Sequence, residues 1–161
     1  MVVILMGVSG SGKTTVGRML ARALQWEFRD ADNLHPAANR ARLRSGVALT
    51  DEDRGPWLIA VHTLIAGFAK RGVDAVVACS ALKAAYRTML AAGVDDVRFV
   101  LLDGSEDLIA RRLATRCGHF FAPALLHSQF DILEPPPDAI VVDITPTPAA
   151  IVAEICAALG R

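Results

Sequence analysis

Val2-Val3-Ile4-Leu5-Met6, running directly into Gly7-Val8-Ser9-Gly10-Ser11-Gly12-Lys13-Thr14, is the stretch from which the rest of the chain takes its order. Its first five residues are an unbroken apolar run closed by glycine, the pattern of a parallel-sheet strand buried on both faces. The next eight match the spacing G-x-x-x-x-G-K-S/T at every fixed position. Its glycines let the backbone turn tightly and bring N–H groups up to phosphate oxygens, an approach that a Cβ would obstruct. A helix predicted to start near Lys13 adds its positive end. Lys13 is expected to reach the β- and γ-phosphates, and the Thr14 hydroxyl to enter the shell of a magnesium ion. The expected nucleotide-binding set is therefore Gly7, Val8, Ser9, Gly10, Ser11, Gly12, Lys13, Thr14 and Thr15.

At 161 residues the chain is long enough for one domain with a full core and too short for two, so residues 1–161 are expected to form a single unit. Charges balance, 17 basic against 17 acidic, which leaves no global field to attract nucleic acid or an acidic membrane surface. Any anion must be captured locally. Cys79, Cys117 and Cys156 are odd in number and lack metal-type spacing, and no secretory leader precedes the loop, which predicts a reducing cytoplasm without disulfides. No apolar run approaches eighteen residues, so no membrane span is expected.

Along the chain, Val16, Met19, Leu20, Ala23 and Leu24 repeat at helical spacing, predicting an amphipathic helix from Lys13 to about Gln25. Glu27-Phe28-Arg29 reads as a short strand entering Asp30-Ala31-Asp32, where alternation would point both carboxylates to one side of a strand end. Ligands sit at such ends in parallel sheets. A turn at Asn33 to Pro36 and a short helix to about Arg44 follow. Thr50 is a plausible N-cap for a helix burying Trp57, Val61, Leu64, Ile65 and Phe68 and ending at Gly72. Further strands are predicted at Ala75 to Cys79, Val97 to Leu102 and Ala139 to Val142. The helices between and after them carry Tyr86 and Arg87, span Ser105 to about Arg116, and span Pro148 to Leu159. This alternation predicts an α/β fold of three layers, about five parallel strands with helices on both faces.

The segment from Cys117 to about Glu134 stands outside that rhythm and predicts a small lid insertion, roughly residues 117–134. Gly118 hinges it, and Arg111, Arg112 and Arg116 flank it. Cations arriving on closure and aromatics excluding water would suit transfer of a phosphoryl group; arginines solvated on a surface loop fit the same composition.

A phosphate loop serves switches, motors and kinases alike. The guanine-specific pair D-x-x-G and N-K-x-D is absent, which argues against a GTPase switch. The third-strand run ends in Cys79-Ser80 where motor ATPases carry an acid, and Asp103 and Asp143 read as turn or N-cap acids after late strands. Asp30 and Asp32 remain, and two carboxylates beside bound ATP can divide labour, one holding magnesium waters and the other accepting a proton from an attacking hydroxyl.

Leu34-His35-Pro36, Thr50-Asp51-Glu52-Asp53-Arg54-Gly55-Pro56-Trp57, Cys79-Ser80-Ala81-Leu82-Lys83 with Tyr86-Arg87, Gly118-His119-Phe120-Phe121 and Ser128-Gln129-Phe130 resemble, in order, the motifs of the gluconate kinases, small relatives of shikimate and adenylate kinases. The resemblance covers nearly the whole chain. It implies a P-loop kinase fold, ATP-dependent phosphorylation of D-gluconate at its 6-hydroxyl, magnesium, and a cytoplasmic, usually dimeric enzyme. Gluconate offers a carboxylate and a chain of hydroxyls, so Arg54 and Arg87 are the expected grips, with Lys83, His35, His119 and Gln129 as further donors or acceptors. In this reading Asp32 orients or deprotonates the hydroxyl and Asp30 supports magnesium with Thr14. Lys13 and a lid arginine, Arg116 or Arg112, neutralise charge in transfer, while Arg111 and Arg112 are unranked candidates for the adenine side. The segment from Glu134 to Ala139 is shorter than the acidic loop of many family members, and Cys117 stands where a basic or polar residue is commoner. The alternatives are a kinase for another small acid, with shikimate disfavoured because Ser80 to Lys83 replaces a glycine-rich turn, or a non-catalytic nucleotide-binding domain.

Overall fold

The computed structural model describes residues 1–115 and 123–161. Its elements follow the predicted alternation: β1 (Val2–Met6), α1 (Lys13–Leu24), β2 (Glu27–Asp30), α2 (Ala37–Arg44), α3 (Asp51–Arg71), β3 (Ala75–Ala78), α4 (Ala84–Ala91), β4 (Val97–Asp103), α5 (Glu106–Ala114), α6 (Pro123–Asp131), β5 (Ile140–Asp143) and α7 (Pro148–Ala158). A 3-10 turn, Ala31–Leu34, joins β2 to α2.

The five strands form one parallel sheet in the order β2-β3-β1-β4-β5. β1 is central because all five of its side chains are apolar and can be buried on both faces; the polar sequence Glu-Phe-Arg-Asp of β2 belongs at an edge. Val3 and Leu5 face a core built with Val16 and Leu20 of α1, Ile109 of α5 and Ile151 and Ile155 of α7. Val2, Ile4 and Met6 face the other way, onto Trp57, Val61, Ile65 and Phe68 of α3 and Leu90 of α4. The chain runs from β1 outward to β2 and back to β3 on one side, then crosses to β4 on the other, so the order reverses at the carboxyl end of β1. A ligand crevice belongs at that point.

Two local devices set the site's surroundings. A capping box starts α3, with Thr50 Oγ1 accepting from the Asp53 N–H at 3.2 Å and Asp53 Oδ2 accepting from the Thr50 N–H at 2.9 Å. Pro56 lies inside the same helix, lacking the N–H that would bond back to the Glu52 carbonyl. Among the described residues no helix is long and apolar enough to cross a membrane.

Gly17 is where α1 packs closest on the sheet: a Cβ there would meet Phe28 Cε2 at 2.6 Å and Leu5 Cδ1 at 3.3 Å. Helix propensity alone favours Gly17→Ala by about 1 kcal/mol, whereas overpacking costs about 1–3 kcal/mol. Gly17→Ala should therefore lower the urea midpoint, and a raised midpoint would contradict this packing.

Candidate active site

The loop after β1 is shaped by its backbone. Gly7 has φ +134°, and a Cβ on it would stand 2.9 Å from the Leu102 carbonyl oxygen of β4, so only glycine lets the chain leave the sheet here. The Gly7 N–H donates to Ser80 O at 3.2 Å, tying the loop to the turn after β3. Lys13 Nζ folds back to donate to Gly7 O at 3.0 Å and Val8 O at 2.8 Å. Thr14 Oγ1 donates to Asp30 Oδ2 at 2.7 Å, and Asp30 Oδ1 accepts from the Asp32 N–H at 3.1 Å. The loop, α1 and the end of β2 thus meet at one carboxylate.

The two acids are brought together, but not by strand alternation as expected. β2 ends at Asp30, and Asp32 lies in the 3-10 turn that Asp30 caps. A side-chain acceptor at the strand end competes with continued pairing, and this one takes the Asp32 N–H and tightens the backbone. Asp32 keeps solvent contact, yet protein is packed densely around its carboxyl. That loss of water raises its pKa above the ordinary carboxylate value; Lys13 opposes the rise, the Asp30 charge adds to it, and Arg54 opposes it.

On the far side of Asp32 stands a second group. His35 is buried and stacks on Trp57 with ring centroids 4.3 Å apart, while Trp57 Nε1 donates to the Ala31 carbonyl at 2.8 Å. Burial first, then the charges of Arg54 and Arg40, bring the His35 pKa down to about 4, so the ring is neutral at physiological pH. Among the described residues its Nδ1 and the Nε of Arg54 are both buried without a hydrogen-bond partner. Buried polar atoms are rarely left unmatched, so these two mark a place where the resting site is incompletely satisfied. The Arg54 guanidinium also lies 5.9 Å over the Tyr86 ring.

Lys83 and Arg87 are placed differently from the expected substrate grips. Lys83 Nζ is paired with Asp51 at 2.7 Å, and the Tyr86 hydroxyl donates to the same carboxylate, so the lysine charge is matched locally. Arg87 is buried, with Nη1 donating to Ala81 O and Leu82 O, each at 3.0 Å. It braces the turn after β3, where Ala81 holds a positive φ of 45°. Asp51 and Tyr86 were missing from the sequence-based site. Asp51 reads as a helix-start acid, and its pairing with Lys83 and Tyr86 spans more than thirty residues, beyond the reach of local patterns.

Gln129 also departs from expectation. Its Oε1 accepts from the Ser9 N–H at 2.6 Å and its Nε2 donates to Ser9 Oγ at 3.3 Å, which puts its amide on the phosphate loop. Arg112 Nη2 donates to Ile144 O at 2.6 Å. Arg112 also lines a cavity of about 270 Å³ with Gly10, Gly12, Thr15, Thr115 and Pro146, beside the start of α1. Arg116 and His119 lie outside the described residues. Asp143 is a turn acid, as expected, accepting from Thr145 N and Oγ1 at 2.8 and 2.7 Å. Burial pushes the Cys79 thiol up to about 12, which leaves it protonated and unsuited to nucleophilic chemistry.

The shikimate kinase family model matches residues 9–127. The thermosensitive gluconokinase of Escherichia coli K12 is 43% identical over 145 residues, which span 88% of this chain and 78% of that protein. A sugar kinase from Janibacter sp. HTCC2649, solved without ligand, matches with a TM-score of 0.93 at 40% identity over 99% of this chain and 94% of that one. A gluconokinase from Sinorhizobium meliloti 1021 matches with a TM-score of 0.89 at 41% identity, over 99% of this chain and 91% of that one.

The state of His35 has a measurable consequence. Between about pH 4 and 6.5 the unfolded chain binds a proton on this ring that the folded chain does not, so stability rises with pH in that window and acid erodes it. In urea titrations at pH 7 and pH 5, His35→Gln should shrink the loss of unfolding free energy on acidification. An unchanged loss would place the ring in water.

Proposed function

The chain belongs to the gluconokinase family, and from that premise we propose that it transfers the γ-phosphoryl group of ATP to the 6-hydroxyl of D-gluconate, giving 6-phospho-D-gluconate. One observation carries the reading: the Asp30 carboxylate joins the phosphate loop, through Thr14, to a turn whose far side presents Asp32, the neutral His35 and the buried Nε of Arg54. A phosphate site and a polyol site thereby share one boundary. The base of ATP is assigned to the cavity beside Arg112 and Thr15, which borders the loop at the start of α1.

In the proposed mechanism the loop N–H groups and Lys13 hold the phosphates, and the attacking hydroxyl lies in line with the leaving oxygen. Asp32 takes the hydroxyl proton; its raised pKa makes it a better proton acceptor than an ordinary carboxylate. Arg54 grips the gluconate carboxylate, a role that falls to it because Arg87 is committed to the turn and Lys83 to Asp51. His35 accepts or donates one hydrogen bond to the polyol without adding charge. Arg116 and His119 are retained as family-implied contributors on the transferred phosphate and the substrate.

Magnesium fits the donors present. Among the described residues no group of three or more His, Cys, Asp or Glu could hold a metal by itself, but Thr14 and Asp30 offer a hydroxyl and a carboxylate 2.7 Å apart. Mg²⁺ commonly takes few protein ligands and completes its shell with water and substrate phosphates. Bound there, it would offset negative charge on the β- and γ-phosphates. A single catalytic domain over residues 1–161, a lid at about 117–134, a homodimer and a cytoplasmic location complete the proposal on the strength of the family resemblance.

A coupled ADP-release assay across a panel of sugar acids should give gluconate-stimulated turnover that depends on Mg²⁺; release no faster with gluconate than with water would end the assignment. Asp32→Asn should lower kcat by about 10²- to 10⁴-fold with ATP binding within twofold, the usual worth of a general base. Arg54→Ala should raise the KM for gluconate by about 10- to 100-fold and leave the KM for ATP in place, as loss of a charge-assisted hydrogen bond implies.

A further inference from the structure

The peptide unit between Val8 and Ser9 is gripped from two sides. Its carbonyl oxygen accepts from Lys13 Nζ at 2.8 Å and from the Ser11 N–H at 3.3 Å, and its N–H donates to Gln129 Oε1 at 2.6 Å. A trans peptide points its C=O and N–H in opposite directions, so Lys13 and Ser11 on one side and Gln129 on the other fix the rotation of one plane. The amide orientation of Gln129 follows from chemistry, since a backbone N–H requires an acceptor; the Nε2 end then donates to Ser9 Oγ at 3.3 Å. The next residue, Gly10, is packed so tightly on α5 that a Cβ would stand 2.8 Å from Leu113 Cγ and 2.9 Å from Ile109 Cγ2. The apex of the loop is therefore set by α5 on one residue and by α6 on its neighbour, across 120 positions of sequence.

We propose that Gln129 is a positioning residue of the phosphate loop, holding the Val8–Ser9 peptide in the rotation that turns its carbonyl to Lys13, and so acts on the nucleotide side of the reaction. With the side-chain acceptor removed, the Val8–Ser9 plane is held from its carbonyl side alone, by Lys13 and the Ser11 N–H, so the plane can rock and the Lys13 anchor on the loop loosens. Binding of ATP must then restore an orientation that the resting protein already holds, a cost in preorganisation borne by the nucleotide. The proposal rests on the kinase reading only through its nucleotide half.

The test pairs Gln129→Met, which fills similar space and cannot take the Ser9 N–H, with Ser9→Ala, which removes only the Oγ contact. ATP affinity is measured by direct titration without acceptor, and KM values for ATP and gluconate are measured separately. Gln129→Met should weaken ATP binding and raise the KM for ATP by about three- to tenfold, the worth of one or two neutral hydrogen bonds, with the KM for gluconate within twofold. The Ser9 amide proton should exchange faster with solvent in Gln129→Met than in the parent. Ser9→Ala should give a smaller change of the same kind, about twofold, and keeps the test open should Gln129→Met fold poorly. A raised KM for gluconate with unchanged ATP constants would overturn the proposal and return Gln129 to the acceptor side. Unchanged constants for both would reduce the contact to packing. If gluconate proves not to be the acceptor, direct ATP titration and Ser9 exchange still decide the role of Gln129.

Discussion

The Asp30 carboxylate is the point on which the site depends. One oxygen takes the Thr14 hydroxyl from the start of α1 and the other takes the Asp32 N–H from the turn that leads toward His35. The sheet keeps β1 and β2 apart, with β3 between them, so their carboxyl ends meet only through the side chains that project above it. A carboxylate can satisfy both partners because it accepts on two oxygens at once, where an asparagine could accept on only one. The loop and the acceptor turn are in this way one mechanical unit.

Around that unit the charges are placed economically. Lys13 lies against its own loop, Lys83 is matched by Asp51, and Arg87 is spent on two carbonyls. What faces the acceptor side among the described residues is the Arg54 guanidinium with its buried Nε, beside a histidine kept neutral by burial and by the charges of Arg54 and Arg40. Such an arrangement suits a ligand carrying a negative charge and several hydroxyls.

The fold was legible because its signals are local and agree with each other. The apolar run of β1, the glycines of the loop, the Thr50 cap and the Gly72 stop each act within a few residues, and the strands alternate with helices in a rhythm that permits a parallel sheet. The placement of Asp30, Thr14 and Lys13 around one loop was legible for the same reason. The partners of Arg87, Lys83 and Gln129 were not. A side chain's spacing says which residue type is present near the cleft, whereas its partner is set by packing between elements far apart in sequence: Gln129 meets Ser9 through α6, and Arg87 meets its own turn because α4 begins immediately after it. The Asp-Ala-Asp stretch misled for a subtler reason. Alternation holds only while the strand lasts, and the first aspartate ends it by capping the turn that holds the second.

The turn after β3 also bears on how this sequence can change. Ala81 has the left-handed backbone usually given to glycine, is fully buried, and is fastened through its carbonyl to Arg87. Holding a residue with a Cβ there costs about 1–2 kcal/mol. Glycine would relieve the strain but free the unfolded chain, and any larger side chain would meet both the backbone restriction and a filled core. The position is consequently a bottleneck for sequence drift: its neighbours can be exchanged one at a time, while this site admits almost no variety unless the turn itself is rebuilt.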